Sequence, residues 1–577
     1  MLRRVALLLI LAPLLASCAA TLPLGPVPPP APMAAAIGAY LLPLEGTRPQ
    51  PGDGEAADLA AIANAIGDAD LVGLGEDFHG VHDNHTLAHR IFAYLADQKG
   101  FDVFALEVDF AHAALLDDYL HGRRDDLDAL LARRSPWAIF YDAALRDLLL
   151  YLREQNLEQG RNFSVAGFDH KQPALAAERL VATLRRFDPA TAAEVERLAG
   201  GILALGGFGI NPNDFGYSGY FFLRLPPSPE ARTLVARVRA RAQGMTYGSA
   251  SLDVDTAGGK ENSAQRVVFP AAELSESWRL GELSLNVPPD SGVLRCFLYH
   301  GGNGTLFFGG LELELDGQKL ELPSLANLKL PPLLFPGWQV MDYTARLDPE
   351  AAFAGQSALR IDVDPRLDSA RADARELLQR VRASLDRHPT QITPREAAWT
   401  LQLARTVEQA LLWRTLAEPN RDVFLAENLA WLHQEGFSGH KIVALAHAQH
   451  SQPIPDRMGG FLTQTLGPAY FTLSFFTLSG SVRDDLPPTF ARQVHAINPE
   501  ELASLPRHLG PLHSGHFLVD LAAARRDPAA RAWLAQLAPT TQRDEYPPAM
   551  AIFLREVTPL QPLADGLEER RCPGSGQ

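Results

Sequence analysis

A chain of 577 residues has room for two to four domains and a large core. Its 46% hydrophobic and 21% charged content is that of a globular protein and excludes a disordered or fibrous one. The net charge of −16, with no Lys/Arg cluster to offset it, argues against nucleic acid as a partner.

Arg3 and Arg4 precede an apolar run, 5–15, that has secretory-signal form and is too short to span a bilayer comfortably. The run closes with Leu14-Leu15-Ala16-Ser17-Cys18, which resembles a bacterial lipobox. That resemblance implies a signal peptide over 1–17, a lipid on the Cys18 thiol, and an outer-membrane anchor facing the periplasm, because Ala19 rather than aspartate follows. A secreted protein with an incidental cysteine is the other reading. Proline and small residues over 18–54 read as a tether. No later stretch is long and apolar enough to cross a membrane.

A helix is predicted over 55–69. Then Leu71-Val72-Gly73-Leu74, a short uncharged apolar run, breaks into Gly75, Glu76, His79 and Gly80. Such a run, bounded by turn residues, reads as a buried strand. The helix expected next, over 81–98, carries His82, His85 and His89 on one face, as either a solvated stripe or metal ligands. Val103–Leu106 runs into Glu107 and Asp109. Ser135-Pro136 has the form of a helix start, through Trp137 and Tyr141 to Asn156. Ser164–Phe168 then runs into Asp169 and His170, and one or two helices follow over 174–205. His112 and His121 read as surface residues.

Composition changes near Gly206. An irregular segment over 206–227 and a helix over 228–241 are expected, then strands over 247–364. Leu311-Glu312-Leu313-Glu314-Leu315 has the alternation of a sheet with one wet face. Helices resume over 366–416, and Arg421-Asp422 opens another over 423–434. Ile442–Ala446 runs into His447 and His450, 469–476 reads as a strand, and the tail over 569–577 as disordered.

Strands alternating with helices build a parallel sheet. The expected fold is therefore α/β, a mostly parallel sheet flanked by helices over 55–242 and 366–568, with an all-β sandwich or jelly roll inserted over 243–365. Four strands each deliver Glu, Asp or His at their carboxyl ends, where open parallel sheets hold ligands. Cys296 and Cys572 make neither a disulfide framework nor a zinc site. There is no Gly-x-Ser-x-Gly elbow, no His-Glu-x-x-His and no phosphate loop.

Gly75-Glu76-Asp77-Phe78-His79-Gly80 resembles the Gly-Glu-x-x-His-Gly signature of the erythromycin esterase family. Leu106-Glu107-Val108-Asp109, Arg421-Asp422 with Ala426-Glu427-Asn428, and Ala446-His447-Ala448-Gln449-His450 are similar to further motifs of that family, in the same order. Met458-Gly459 and Thr558-Pro559-Leu560 also match, so the resemblance spans roughly 58–200 and 368–564. It implies hydrolysis of a small-molecule ester or lactone without metal or other cofactor. His79 is then the general base, Glu76 and Glu107 its supports and His447 the group opposite. His450, Arg421, Asp109, Asp169 and Asp83 are then substrate contacts. Four positions depart from the family: Asp83 stands for glutamate, Ala88 for arginine, His85 for an aromatic residue and Gln449 for asparagine.

Two other readings fit the same residues: a metal- or haem-binding envelope lipoprotein, and a non-catalytic protein of the same fold that binds a glycan or peptide. The tryptophans of the inserted region, Trp278 and Trp338, and its Tyr299 suit glycan contact.

Overall fold

The computed structural model describes residues 36–132, 142–171, 173–204, 217–226, 228–246, 248–257, 263–289, 291–322, 343–363, 366–415, 421–486, 491–497, 502, 504–535 and 546–560. Cys18, Ser135, Pro136, Trp137, Tyr141, Trp338, Cys572 and the tail over 569–577 lie outside them.

The centre is an eight-stranded sheet. Its order is Leu41–Pro43, Phe517–Asp520, Met550–Leu554, Tyr470–Thr477, Leu71–Glu76, Lys441–His447, Phe101–Asp109, Ser164–Asp169. The last six are parallel, and the first two antiparallel strands close one edge. Successive side chains of a strand point to opposite faces, and here both faces are apolar. Val72, Leu74, Phe104, Leu106, Val443 and Leu445 join one core, under Leu59, Leu87, Ile91 and Leu149 of the helices Ala57–Ile66, His82–Lys99 and Ala143–Glu158. Leu71, Val103, Ala105, Ile442 and Ala444 join the other, with Leu180, Val195, Leu377 and Leu411.

Leu71–Glu76 lies in the middle, and from it the chain builds outward in both directions: to Phe101–Asp109 and Ser164–Asp169, then to Tyr470–Thr477 and Met550–Leu554. That reversal opens a crevice at the strands' carboxyl ends. Two glycines shape it. A Cβ on Gly75 would lie 2.9 Å from Ala448 Cα, so glycine lets the short helix Ala448–Ser451 cross the strand end. Gly80 has φ +87°, and its Cβ would sit 1.9 Å from the Arg483 carbonyl oxygen. Its own carbonyl accepts from Arg483 N (3.0 Å) and Leu560 N (2.8 Å). Gly80→Ala is expected to lower stability by on the order of 2–3 kcal/mol, read as a fall in the urea midpoint. An unchanged midpoint would show that the turn relaxes freely.

The inserted region is two antiparallel sheets. One orders Tyr217–Arg224, Val293–Gly302, Gly248–Ala257, Ala264–Pro270; the other Tyr343–Phe353, Gln356–Val363, Thr305–Leu315, Arg232–Gln243, Arg279–Val287, with Gln318–Lys319 beside Thr305–Leu315. Leu234, Val238, Leu252, Val254, Leu298 and Ile361 pack between them. Across the insertion, Ser384 Oγ donates to Asp188 Oδ2 at 2.7 Å and Arg387 Nη2 at 2.8 Å, so the chain leaves and re-enters the α/β body at one place.

Several expectations are corrected. The helix over 228–241 is the strand Arg232–Gln243: Leu234, Ala236, Val238, Ala240 and Ala242 are buried at every second position, and that period outweighs the helix propensity of Ala and Arg. The antiparallel region accordingly begins at Tyr217, before 243. The tether does not extend to 54, since Ile37 and Leu44 are buried, Leu41–Pro43 pairs with Phe517–Asp520, and Arg90 donates to Asp53, Asp58 and the Gly46 carbonyl. The helix expected from Ser135 starts after Asp142, whose Oδ1 accepts from Leu145 N at 2.9 Å. His112 is buried, its Nε2 donating to the Leu130 carbonyl at 3.0 Å, and His82 and His85 are buried rather than a solvated stripe.

Candidate active site

Glu76 ends the central strand, fully buried. The turn after it is pinned by Asp77, whose Oδ2 accepts from Thr477 N at 2.6 Å and Oδ1 from the Thr477 hydroxyl at 2.9 Å. The turn folds His79 back over the strand end, where Nδ1–H donates to Glu76 Oε1 at 2.6 Å. The tautomer follows: with the proton on Nδ1, Nε2 is the basic end of the ring. The His79 side chain keeps 29% of its surface exposed.

His447 ends the neighbouring strand in register with Glu76. Its ring lies opposite His79, centroids 4.7 Å apart at 53°. Its Nδ1 accepts from Gln449 N at 3.2 Å, so Nε2 carries the proton and donates to the Asp77 carbonyl at 3.2 Å. Its backbone N donates to Glu107 Oε2 at 3.0 Å.

Beside this pair, Arg421 is buried at the start of the helix Arg421–Trp431. Its Nη2 donates to Glu107 Oε1 at 2.6 Å and Asp169 Oδ2 at 2.8 Å, and its Nη1 lies 3.2 Å from His450 Nε2. Asn428 of that helix donates to the Phe168 carbonyl at 3.0 Å, which fixes the helix over the strand end carrying Asp169. His450 Nδ1 donates to Asp422 Oδ1 at 2.6 Å, and Asp422 also takes Met458 N at 2.9 Å and Arg457 Nη1 at 3.1 Å.

Burial alone would raise the Glu107 carboxyl. His450, Arg421, His79 and the His447 N–H together hold it well below the usual carboxylate range. Burial likewise opposes the charge of Asp169, which Arg421, Lys171 and His170 nonetheless bring down to about 2. For His450, burial pulls the pKa down and Asp422 and Glu107 raise it, against Arg421, whose Nη1 can donate only to an unprotonated Nε2. The signs give an expectation for stability. A carboxyl depressed on folding contributes stability that is complete above its unfolded pKa and lost as pH falls through the folded one. Wild type should thus lose stability between about pH 4 and pH 2, and Asp169→Asn should lose less across that interval. Equal slopes in urea unfolding at pH 4 and pH 2.5 would contradict the Arg421–Asp169 pairing.

His79, Glu76, Glu107, His447, His450, Arg421 and Asp169 thus meet at one rim. Two expected contacts are tied into the scaffold: Asp109, although in register with Asp169 at the rim, and Asp83. Asp109 Oδ1 accepts from His112 N at 3.0 Å as the N-cap of the helix Phe110–Leu120. Asp83 accepts from Thr47 Oγ1 (2.9 Å), Thr558 N (2.6 Å) and Thr558 Oγ1 (2.8 Å), which ties both ends of the fold together. Three carboxylates join the site beyond those expected from the sequence: Asp77, Asp422 and Asp142. Asp422 was legible beside Arg421, and Asp142 as an N-cap before an apolar-periodic run. Among the described residues no group of three or more His, Cys, Asp and Glu is arranged to hold a metal ion. In the insertion, Trp278 packs on Phe353, and half-buried Tyr299 lies beside Phe297 and Arg266.

The sequence model of one family, Erythromycin esterase, matches residues 96–264 and 338–549, more than half of the chain. The match takes in Glu107, Asp169, Arg421, His447 and His450 and part of the inserted sheets; it begins after the Glu76–His79 turn. An Escherichia coli protein described as erythromycin esterase type II is 27% identical over 114 residues, 19% of this chain and 26% of its own length. The aligned part therefore spans about a quarter of that relative. Two crystal structures share the fold: a Bacillus cereus protein (15% identity, TM-score 0.55, 92% of this chain and 98% of that one) and a succinoglycan biosynthesis protein (14%, 0.55, 92% and 97%). With two separate segments matched, both contributing to one rim, the chain belongs to the erythromycin esterase family.

Proposed function

We propose that this protein is a hydrolase of carboxylic esters or lactones in which His79 activates water. The observation that carries the reading is the 2.6 Å bond from His79 Nδ1–H to buried Glu76, which directs the basic Nε2 of a solvent-reached ring at the rim. Family membership supports hydrolysis as the reaction class.

In the proposed reaction Nε2 takes a proton from water as its oxygen bonds to the carbonyl carbon. Glu76 steadies the imidazolium that forms, as the carboxylate partner of a catalytic histidine does. The carbonyl oxygen becomes an oxyanion, for which His447 is the nearest donor across the rim; its Nε2–H leaves the Asp77 carbonyl to serve it. Collapse breaks the carbon–oxygen bond, and the leaving alkoxide takes the proton from His79. A panel of esters and lactones followed by acid release, wild type against His79→Ala, tests this. Turnover by wild type that survives the substitution would remove His79 as the base.

Anchoring belongs to the same proposal, with the lipid on Cys18 holding the enzyme at the outer membrane. Mass spectrometry of the mature N-terminus checks it: a diacylglyceryl-modified Cys18 is expected, and an unmodified terminus contradicts it.

A further inference from the structure

Behind Glu76, away from His79, lies a second charged couple. His85, in the helix His82–Lys99, is buried between two carboxylates: Nε2 is 3.3 Å from Glu76 Oε2, and Nδ1 is 3.2 Å from Asp142 Oδ2. These are close charge contacts rather than aligned hydrogen bonds, and neither carboxylate oxygen has a hydrogen-bond partner among the described residues. An imidazole held between two buried carboxylates is favoured as the cation, which offers an N–H to each. We propose that His85 is a positioning residue, a buried imidazolium fixed by Asp142 that keeps Glu76 ionised and aimed at His79. The proposal rests on the reading of His79 as the base, and it extends the His79–Glu76 pair into a row of four groups.

The surroundings agree. Apolar Phe104, Leu106, Leu145 and Leu445 line the space beside His85 and leave the two carboxylates as its neutralising groups. A lone Glu76 carboxylate, wholly buried, would tend to take up a proton. Burial raises it, yet the His79 hydrogen bond and the His85 contact bring it below its ordinary value. Burial also lowers the His85 ring, and Asp142 and Glu76 together push it up to about 10. Among the described residues, the other titratable groups facing this row are His82, whose Nδ1 is 3.8 Å from Asp142 Oδ2, and Glu107 and His447 on the far side of His79. His89, one turn on, packs against Tyr151 and is driven by burial down to about 4, so it adds no charge.

Histidine labelled at Cε1 reads the proposal directly by NMR. In wild type the His85 signal should stay that of an imidazolium from pH 6 to 8.5; titration near 6.5 overturns the proposal. Asp142→Asn keeps the helix cap but removes the charge, and should bring His85 titration down by more than one unit; an unmoved signal also overturns it. On an ester turned over by wild type, His85→Phe should shift the acid limb of kcat/KM upward by about one unit, as Glu76 protonates more readily. An acid limb that does not move overturns the positioning role. His85→Gln, which can donate to Glu76 without carrying charge, serves if the phenylalanine variant does not fold. Should His79→Ala retain full turnover, the reading of His79 fails, whereas the two NMR arms still decide whether His85 is the cation.

Discussion

His79→Ala is expected to lower kcat on an accepted ester by about 10²–10⁴-fold, the usual contribution of a positioned general base. The loss should fall on kcat rather than KM, because the ring acts on water in the transition state and need not hold the substrate. Stability should fall by only about 1–3 kcal/mol, the cost of leaving one buried Glu76 oxygen without its donor while His85 still faces the other. That contrast separates chemistry from collapse. A variant that still unfolds in one cooperative transition and shows a deep kcat loss fits the base, whereas parallel loss of folding and activity would make the residue a structural one.

Arg421→Met should have the larger effect on stability. The guanidinium stands between buried Glu107 and Asp169, and its removal leaves Asp169 without its ion-pair partner and Glu107 with only the His450 ring and the His447 N–H. Breaking a buried pair from one side costs about 3–5 kcal/mol, most of it from the uncompensated charge. Combining it with Asp169→Asn removes one of the orphaned charges, so the double variant should recover part of the loss rather than add to it. Urea unfolding of both single variants and the double variant checks this. Strict additivity would mean that the two side chains do not share an interaction.

How far the sequence could be read follows from the same physics. An uncharged apolar run ended by an acid or histidine is a local pattern, and the strands Leu71–Glu76, Phe101–Asp109, Ser164–Asp169 and Lys441–His447 were visible through it. Their meeting at one rim was legible too, because parallel strands share a carboxyl edge. What stayed hidden depends on distance along the chain. Asp142 and His85 are 57 residues apart and meet only through packing of two helices, so nothing local linked them. Asp109 and Asp83 carry the right chemistry in the right motifs, yet one became a helix cap and the other a tie between chain ends. The strand Arg232–Gln243 reads as a helix by composition, because alanine and arginine favour helices, while their alternation with Leu234 and Val238 favours a sheet. Met550–Leu554, five apolar residues wholly buried between Tyr470–Thr477 and Phe517–Asp520, is too short for periodicity to separate it from a helix segment.

The proposed chemistry turns on which nitrogen of His79 holds the proton. Nitrogen-15 NMR of histidine-labelled protein, with His79→Ala used to assign the signal, measures this at a pH where the ring is neutral. Glu76 beside Nδ1 predicts a protonated Nδ1 and a bare Nε2. A proton found on Nε2 would leave no base facing the rim and would contradict the mechanism at its first step.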